Sequence, residues 1–246
     1  VYVATSNLPL AFGFGILLGA VVGAVNGLFV AHFKLPAFIV TLAMQTVCFG
    51  AICIYTQGQN IYRIGDYNVL GQGELFGFFP VTVAFMLLML VITHILLRYT
   101  KFGRYLYAIG GNSEAAVAAG IQVRRITWAA FIVSGIFAAI AGMVMMGRLN
   151  AGIPNSGSGY ETDAITATVI GGTSFSGGAG TALGTLFGSL IIGVLNNIMT
   201  LIGVDSYLQM IIKGAIIILA VLLDVLTKTQ KRTVKIMASS SDANQK

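Results

Sequence analysis

The chain has 246 residues, of which 57% are hydrophobic and 9% charged, with a formal net charge of +6. An ordinary soluble domain carries roughly 25% charged residues, so this composition excludes a solvated globular enzyme, a disordered chain and a typical nucleic-acid binder. What remains is a polytopic helical membrane protein, and the basic excess then reads as a topology signal rather than as attraction to an acidic partner.

The chain starts at Val1 rather than Met, and apolar sequence begins almost at once, which predicts a truncated start. A first apolar segment runs from about Leu8 to Ala31, with Asn26 as its one strongly polar residue. Its length, roughly 36 Å as a helix, is enough to span a bilayer. The break His32-Phe33-Lys34-Leu35-Pro36 precedes a second segment, Ala37 to about Gln57, which holds Thr41, Gln45 and Thr46. Cys48 and Cys53 within it match no metal or redox spacing, so no metal site is expected. A Gly-rich loop over 58–79 carries Arg63, Asp66 and Glu74. A third segment runs from Pro80 to about Leu97, a polar stretch from Arg98 to Arg125, and a fourth segment from Ile126 to Gly147.

After a polar loop at 148–163 the pattern becomes irregular. Ala164–Phe175 is apolar but too short to span as a helix. The run Ser176-Gly177-Gly178-Ala179-Gly180 interrupts it, and a full-length apolar stretch, Thr181 to about Ile202, follows. The last span is Tyr207 to Leu226, before a polar tail. Eleven of the fourteen basic residues sit at Lys34, in 98–125 (Arg98, Lys101, Arg104, Arg124, Arg125) or in the tail (Lys228, Lys231, Arg232, Lys235, Lys246). Basic loops face the cytoplasm, so 164–202 has to enter from outside and return. A short re-entrant helix, a Gly-rich turn and a long returning helix satisfy that parity. Non-helical backbone at membrane depth lines a watery path or is covered by protein. The expected fold is therefore all-α, a polytopic membrane helical bundle with a re-entrant short helix and Gly-rich turn.

Gly15, Gly19, Gly23 and Gly27 recur every four residues, as do Gly180, Gly184 and Gly188. Such spacing lets helix backbones approach closely. The run GGTSFSGGAG (171–180) lacks the Lys-Ser/Thr of a phosphate loop. A serine hydrolase would need a histidine near Ser174 or Ser176, and the two histidines, His32 and His94, both fit helix ends at the cytoplasmic side. The intramembrane polar residues Asn26, Thr41, Gln45, Asn196 and Asn197 have two readings: helix–helix hydrogen bonds, or the lining of a passage for a hydroxylated solute. Gly177, Gly178 and Gly180 are expected to line the outer part of that passage. Lys213 and Asp224, eleven residues apart, share one helix face at a separation of roughly 16 Å. Lys213 is expected to snorkel outward toward Asp205 or the acids at 161–163. In 98–125, Asn112 or Ser113 is placed to cap a short helix over Glu114–Ala119 that Gly120 closes. It is either an ordinary connector or a docking helix for a cytoplasmic partner.

The stretches NGLFVAHFKLPAFIVTL (26–42), KFGRYLYAIGGNSEAAVAAGI (101–121), SGIFAAIAG (134–142), GYETDAITATVIGGTSFSGGAGTALGTLFGSLIIGVLNN (159–197) and KGAIIILAVLLD (213–224) resemble the membrane subunits of bacterial ABC importers for simple sugars, the group that includes the ribose, xylose and galactoside permeases. The resemblance covers nearly the whole chain to about Lys231. It implies a transmembrane permease domain over 1–231, with 98–125 as its cytoplasmic coupling loop and 232–246 as a polar tail. Glu114, Ala115, Ala116 and Gly120 would dock into a cleft on the ATPase subunit. The resemblance further implies a second permease copy, an extracytoplasmic sugar-binding protein, membrane lipid around the spans, and a multi-pass location in the bacterial plasma membrane with the C-terminus cytoplasmic. The chain would bind no cofactor, with ATP and Mg held by the ATPase, and would itself catalyse nothing. Ribose is the nominal sugar. Members of the group carry further helices before the part matching Leu8–Ala31, so the chain is expected to be a fragment or the product of a degraded gene. The rivals are an ion-coupled secondary carrier, for which the spans offer only Asp224 as a carboxylate, and a non-transporting remnant.

Overall fold

The computed structural model describes residues 7–62 and 64–243. Arg63 of the Gly-rich loop and Lys246 of the tail lie outside the described residues. The chain forms two compact units. One holds the chain up to Leu106 together with Ser113–Ser158, and the other holds Tyr107–Asn112 and everything from Gly159 onward.

In the first unit, α1 spans Leu8–Ala31. Its start is set by Asn7, whose side-chain oxygen accepts a hydrogen bond from the Leu10 amide at 3.3 Å, with Pro9 in the first turn. Helix α2, Ala37–Thr56, follows Pro36 and ends at Gln57 in left-handed geometry (φ 54°). Helix α4, Val81–Tyr99, likewise follows a proline, Pro80. Helix α7, Val123–Leu149, ends at left-handed Asn150, a residue type that tolerates that conformation. Between α2 and α4 lie strand β1 (Ile61–Tyr62), a 3₁₀ turn (Gly65–Asn68), the single-turn helix α3 (Val69–Gln72), and strands β2 (Glu74–Leu75) and β3 (Phe79–Pro80). Strand β1 pairs antiparallel with β4 (Ala151–Gly152), so the loops after α2 and α7 are stitched together at Ile61–Gly152 and Tyr62–Ala151. β2 pairs with β3.

The α1–α7 contact is the main packing surface of this unit, and the four-residue glycine spacing of α1 is its cause. A Cβ on Gly19 would lie 2.5 Å from both Ala139 Cβ and the Gly135 carbonyl oxygen, and one on Gly27 would lie 2.9 Å from the Trp128 ring. Backbone therefore meets backbone, as small residues permit. Trp128 Nε1 donates to the Ala24 carbonyl at 2.9 Å across the same seam. The Gly-rich stretch at 58–79 contributes to the core: Ile64 and Tyr67 are buried with Ala11, Ile140 and Met143. Tyr67 is 2% exposed, and burial pushes its phenol pKa above the ordinary value. Gln72 Nε2 donates to the Arg148 carbonyl at 3.0 Å, tying α3 to the end of α7.

The polar stretch after α4 is more ordered than expected. Residues Lys101–Gly111 form α5, because Phe102, Tyr105, Leu106 and Ile109 recur at i, i+3, i+4 and i+7 and leave Lys101 and Arg104 on the other side. The short α6, Ser113–Ala118, comes next.

In the second unit, α8 (Tyr160–Ile170) and α9 (Ala182–Leu201) form a hairpin, and α10 begins at Ser206. Gly171, Gly184 and Gly188 make this hairpin tight: a Cβ on Gly188 would lie 2.9 Å from the Gly171 amide nitrogen, and one on Gly171 would lie 2.8 Å from that of Thr185. Thr181 caps α9 by accepting from the Gly184 amide at 3.0 Å. Helix α10 does not stop near Leu226 but continues to Ala243. The residues after Leu226 contain neither Gly nor Pro, so nothing local ends the helix.

Among the described residues, α1, α2, α4, α7 and α9 are long and apolar enough to cross a membrane, and α10 contributes the shorter apolar stretch Ser206–Leu222. The architecture is the expected all-α polytopic bundle.

Candidate functional site

The first unit contains a cavity of about 1000 Å³ between one face of α2 and the loop after β4. Gln45 and Thr46 line it from α2, Asn155, Ser156 and Ser158 from the loop, and Phe49 and Tyr55 supply aromatic surface. Hydroxyl and amide groups beside aromatic rings suit a hydroxylated ring: the polar groups exchange hydrogen bonds with it and the rings cover its C–H faces. Cys48 also lines the cavity and is a free, exposed thiol. Of the predicted path residues in this unit, only Gln45 reaches the cavity. Thr41 instead returns its hydroxyl to the Ala37 carbonyl at 3.0 Å, satisfying its own helix. Asn26, on α1, keeps a buried side-chain oxygen with no hydrogen-bond partner.

The second unit holds two polar locks on one face of α10. Lys213 Nζ meets Asp163 Oδ2 at 3.0 Å, with side chains 28% and 22% exposed. Asn196 Nδ2 donates to the same oxygen at 3.2 Å, while Asn196 Oδ1 is buried and unpartnered. The choice left open for Lys213 thus falls on Asp163. Three turns along α10, Asp224 Oδ2 accepts from Ser174 Oγ at 2.9 Å and from the Phe175 amide at 3.1 Å. The eleven-residue spacing of Lys213 and Asp224 puts one group at each end of the hairpin. Asn197 is exposed and stands apart from this cluster.

The turn between α8 and α9 places Gly177, Gly178 and Gly180 at φ +89°, +78° and +154°, where only glycine sits without strain. It packs on the end of α5. A Cβ on Gly177 would lie 2.8 Å from the Gly110 carbonyl oxygen, one on Gly178 would lie 2.8 Å from Gly111 Cα, and Tyr107 Oη donates to the Gly180 carbonyl at 2.7 Å. The glycines therefore lie beside residues 107–111, at the Asp224 end of α10. Asn196 is sixteen residues from Gly180, roughly 24 Å away along α9, so within this unit it does not cluster with the glycines of the turn.

Helix α6 carries the predicted docking residues. Glu114 sits in its first turn, Ala116 is buried, and Val117 is 60% exposed. Gly120, at φ +81°, closes the helix: its amide donates to the Val117 carbonyl at 2.9 Å, and the Ile121 amide donates to Ala116 at 3.0 Å. This is the double hydrogen bond of a Schellman closure. Sequence reasoning missed Asp224 as a partner of the turn, Tyr107, and the 153–158 loop as cavity lining. The i, i+11 placement of Lys213 and Asp224 was the available signal for the first.

Comparison with known proteins agrees with this architecture. Residues 1–221 match the family model for branched-chain amino acid transport system / permease component. The ribose import permease protein RbsC of Bacillus subtilis (strain 168) is 45% identical over 202 residues, covering 81% of this chain and 62% of the relative. The L-arabinose ABC transporter permease protein AraH of Azospirillum brasilense is 37% identical over 238 residues, 95% of this chain and 69% of the relative. The galactose/methyl galactoside import permease protein MglC of Escherichia coli (strain K12) is 37% identical over 241 residues, 94% of this chain and 72% of the relative. The chain thus spans less than two thirds of the length of the Bacillus subtilis relative. No solved structure matches. With the spans and the hairpin in place and the match running over nearly the whole chain, this multi-pass membrane protein belongs to the branched-chain amino acid transport system permease family.

Proposed function

We propose that the chain is the membrane-spanning permease part of an ATP-driven importer for a simple sugar, ribose foremost. The observation that carries the reading is the identity of 37–45% to permeases named for ribose, arabinose and galactose, which favours a sugar over the amino acid in the family's name. The cavity at Gln45 and Ser156 supports it as a place for a hydroxylated ring. The preformed α6 supports docking of a cytoplasmic ATPase through Glu114, Ala115, Ala116 and Gly120. That ATPase would hold ATP and Mg, while an extracytoplasmic binding protein delivers the sugar and a second permease copy completes the pore. The exposed apolar side chains of α2 and α9, such as Phe38, Ile54 and Phe187, suit lipid or that second copy. Basic residues at Lys34, in 98–125 and in the tail support a cytoplasmic position for those segments and the C-terminus in a bacterium. The chain couples and conducts, and the energy comes from its partner.

The test is uptake into vesicles that contain the chain with its ATPase and receive its binding protein. ATP-dependent ribose uptake is expected, surviving an uncoupler. Loss of uptake on uncoupling at constant ATP would overturn the reading in favour of an ion-coupled carrier. In a Cys53→Ser background Cys48 is the one remaining thiol, and ribose is expected to slow its reaction with a water-soluble maleimide. Protection by leucine and not by sugars would move the substrate to amino acids.

A further inference from the structure

The turn between α8 and α9 is gripped on two sides by groups that the path and docking readings do not use. Within the turn, the Ser174 amide donates to the Ala179 carbonyl at 3.0 Å and the Gly177 amide to the Ser174 carbonyl at 3.0 Å. The loop is therefore closed on itself by its own hydrogen bonds. On one side Asp224 accepts from Ser174, which is 8% exposed, and from Phe175. On the other side Tyr107 donates to Gly180, and Gly110 and Gly111 touch Gly177 and Gly178 backbone to backbone. A Cβ on Gly110 would lie 2.5 Å from the Gly178 amide nitrogen, so no side chain intervenes to absorb a displacement. Close-packed contacts of this kind transmit strain rather than yield to it. Residues 107–111 end α5, and Asn112 then leads directly into Ser113, the first residue of α6.

We infer that Tyr107 and Asp224 are positioning residues for energy coupling, which hold the 174–180 turn so that a displacement of the 107–112 segment by the docked ATPase is carried into the α8–α9 hairpin. The inference rests on the proposed importer function and adds to it the element that receives the stroke. The Tyr107 hydroxyl and the Asp224 carboxylate provide grip, and the glycines at 110, 111, 177 and 178 provide contact without slack. A side chain at Gly177 or Gly178 would be strained as well as crowded, because both sit at positive φ. Asp224, the carboxylate that an ion-coupled carrier would have used, is thereby engaged by two hydrogen bonds within the chain.

The test measures sugar transported per ATP hydrolysed by the full complex in vesicles, for the native chain, Tyr107→Phe and Asp224→Asn. Amounts are normalised to the ATPase that co-purifies. Tyr107→Phe removes one hydroxyl, and Asp224→Asn keeps the shape while weakening acceptance from Ser174. The expected result is a fall in the transport-to-hydrolysis ratio of between roughly twofold and tenfold, the range for loss of one hydrogen bond, with ATP hydrolysis retained. A purely structural role would lower transport and hydrolysis together and leave the ratio unchanged, and an unchanged ratio in both variants overturns the inference. Absence of ATP-dependent uptake by the native complex would instead overturn the importer reading, and this inference with it.

Discussion

Gly19→Ala would place a methyl carbon 2.5 Å from Ala139 Cβ and 2.5 Å from the Gly135 carbonyl oxygen. Carbon pairs rest at about 3.5–4.0 Å, so α1 and α7 must separate by about 1 Å. Neither obstacle is the flexible end of a long side chain that swings aside. A gap of about 0.5–1 Å forfeits a quarter to a half of the dispersion well for the atoms along it, and overpacking of this kind costs about 1–3 kcal/mol. Alanine also favours a helix interior over glycine by about 1 kcal/mol, so a control has to carry that gain alone. Gly13→Ala does so, since a Cβ there meets nothing within 4 Å. The single tryptophan, Trp128, reports on the seam, because its Nε1 donates to Ala24. Unfolding of purified protein in increasing SDS, followed by Trp128 fluorescence, should place Gly19→Ala below Gly13→Ala by about 1–3 kcal/mol. Coincident unfolding of the two variants would refute the argument that glycine spacing sets the α1–α7 distance.

Lys213→Glu should lower stability by about 1–2 kcal/mol, discounted from the fully buried case because both partners are partly exposed. Adding Asp163→Lys should recover part of that loss in a thermal melt, and a double variant no better than the single one would refute the pairing. Recovery stays incomplete, since a lysine at 163 cannot accept from Asn196. Glu114→Lys and Gly120→Val should each reduce the ATPase that co-purifies with the chain and the uptake it supports. The first reverses an exposed charge, and the second forces a β-branched residue to φ +81°. Normal co-purification with normal uptake would remove α6 as the docking element.

The spans were legible because apolar runs bounded by Pro36, Pro80 and polar breaks leave few choices. The limits of α1 and α2 agree with the structure to within a residue. The glycine stripes also read correctly as close helix approach, though not which helix would be met. Less legible was 58–79, whose glycines signal a loop while Ile64 and Tyr67 fill the core, because burial there is decided by α1 and α7 and not by local pattern. The α5 helix was hidden by its flanking charges, which dominate a hydropathy reading although the apolar residues keep helical spacing. The neighbours of the 174–180 turn, Tyr107, Gly110 and Asp224, were not legible, because glycine composition marks a turn without saying what packs on it. The site was read in fragments: Gln45, Asn196 and Ser174 are legible along the chain, but their neighbours at 153–158, Asp163 and Asp224 are long-range contacts.

The Lys213–Asp163 pair also bears on how the chain is built into the bilayer. Fifty residues separate its members, and an isolated charge at the centre of a membrane helix costs about 2.5–3.5 kcal/mol at insertion. Helix α8 has eleven residues and cannot partition into lipid alone. Asp163 has no Lys213 to pair with until α10 has been synthesised. The C-terminal third would then leave the insertion machinery as one group rather than helix by helix, and a chain stopped before Lys213 would leave the hairpin stranded at the aqueous boundary.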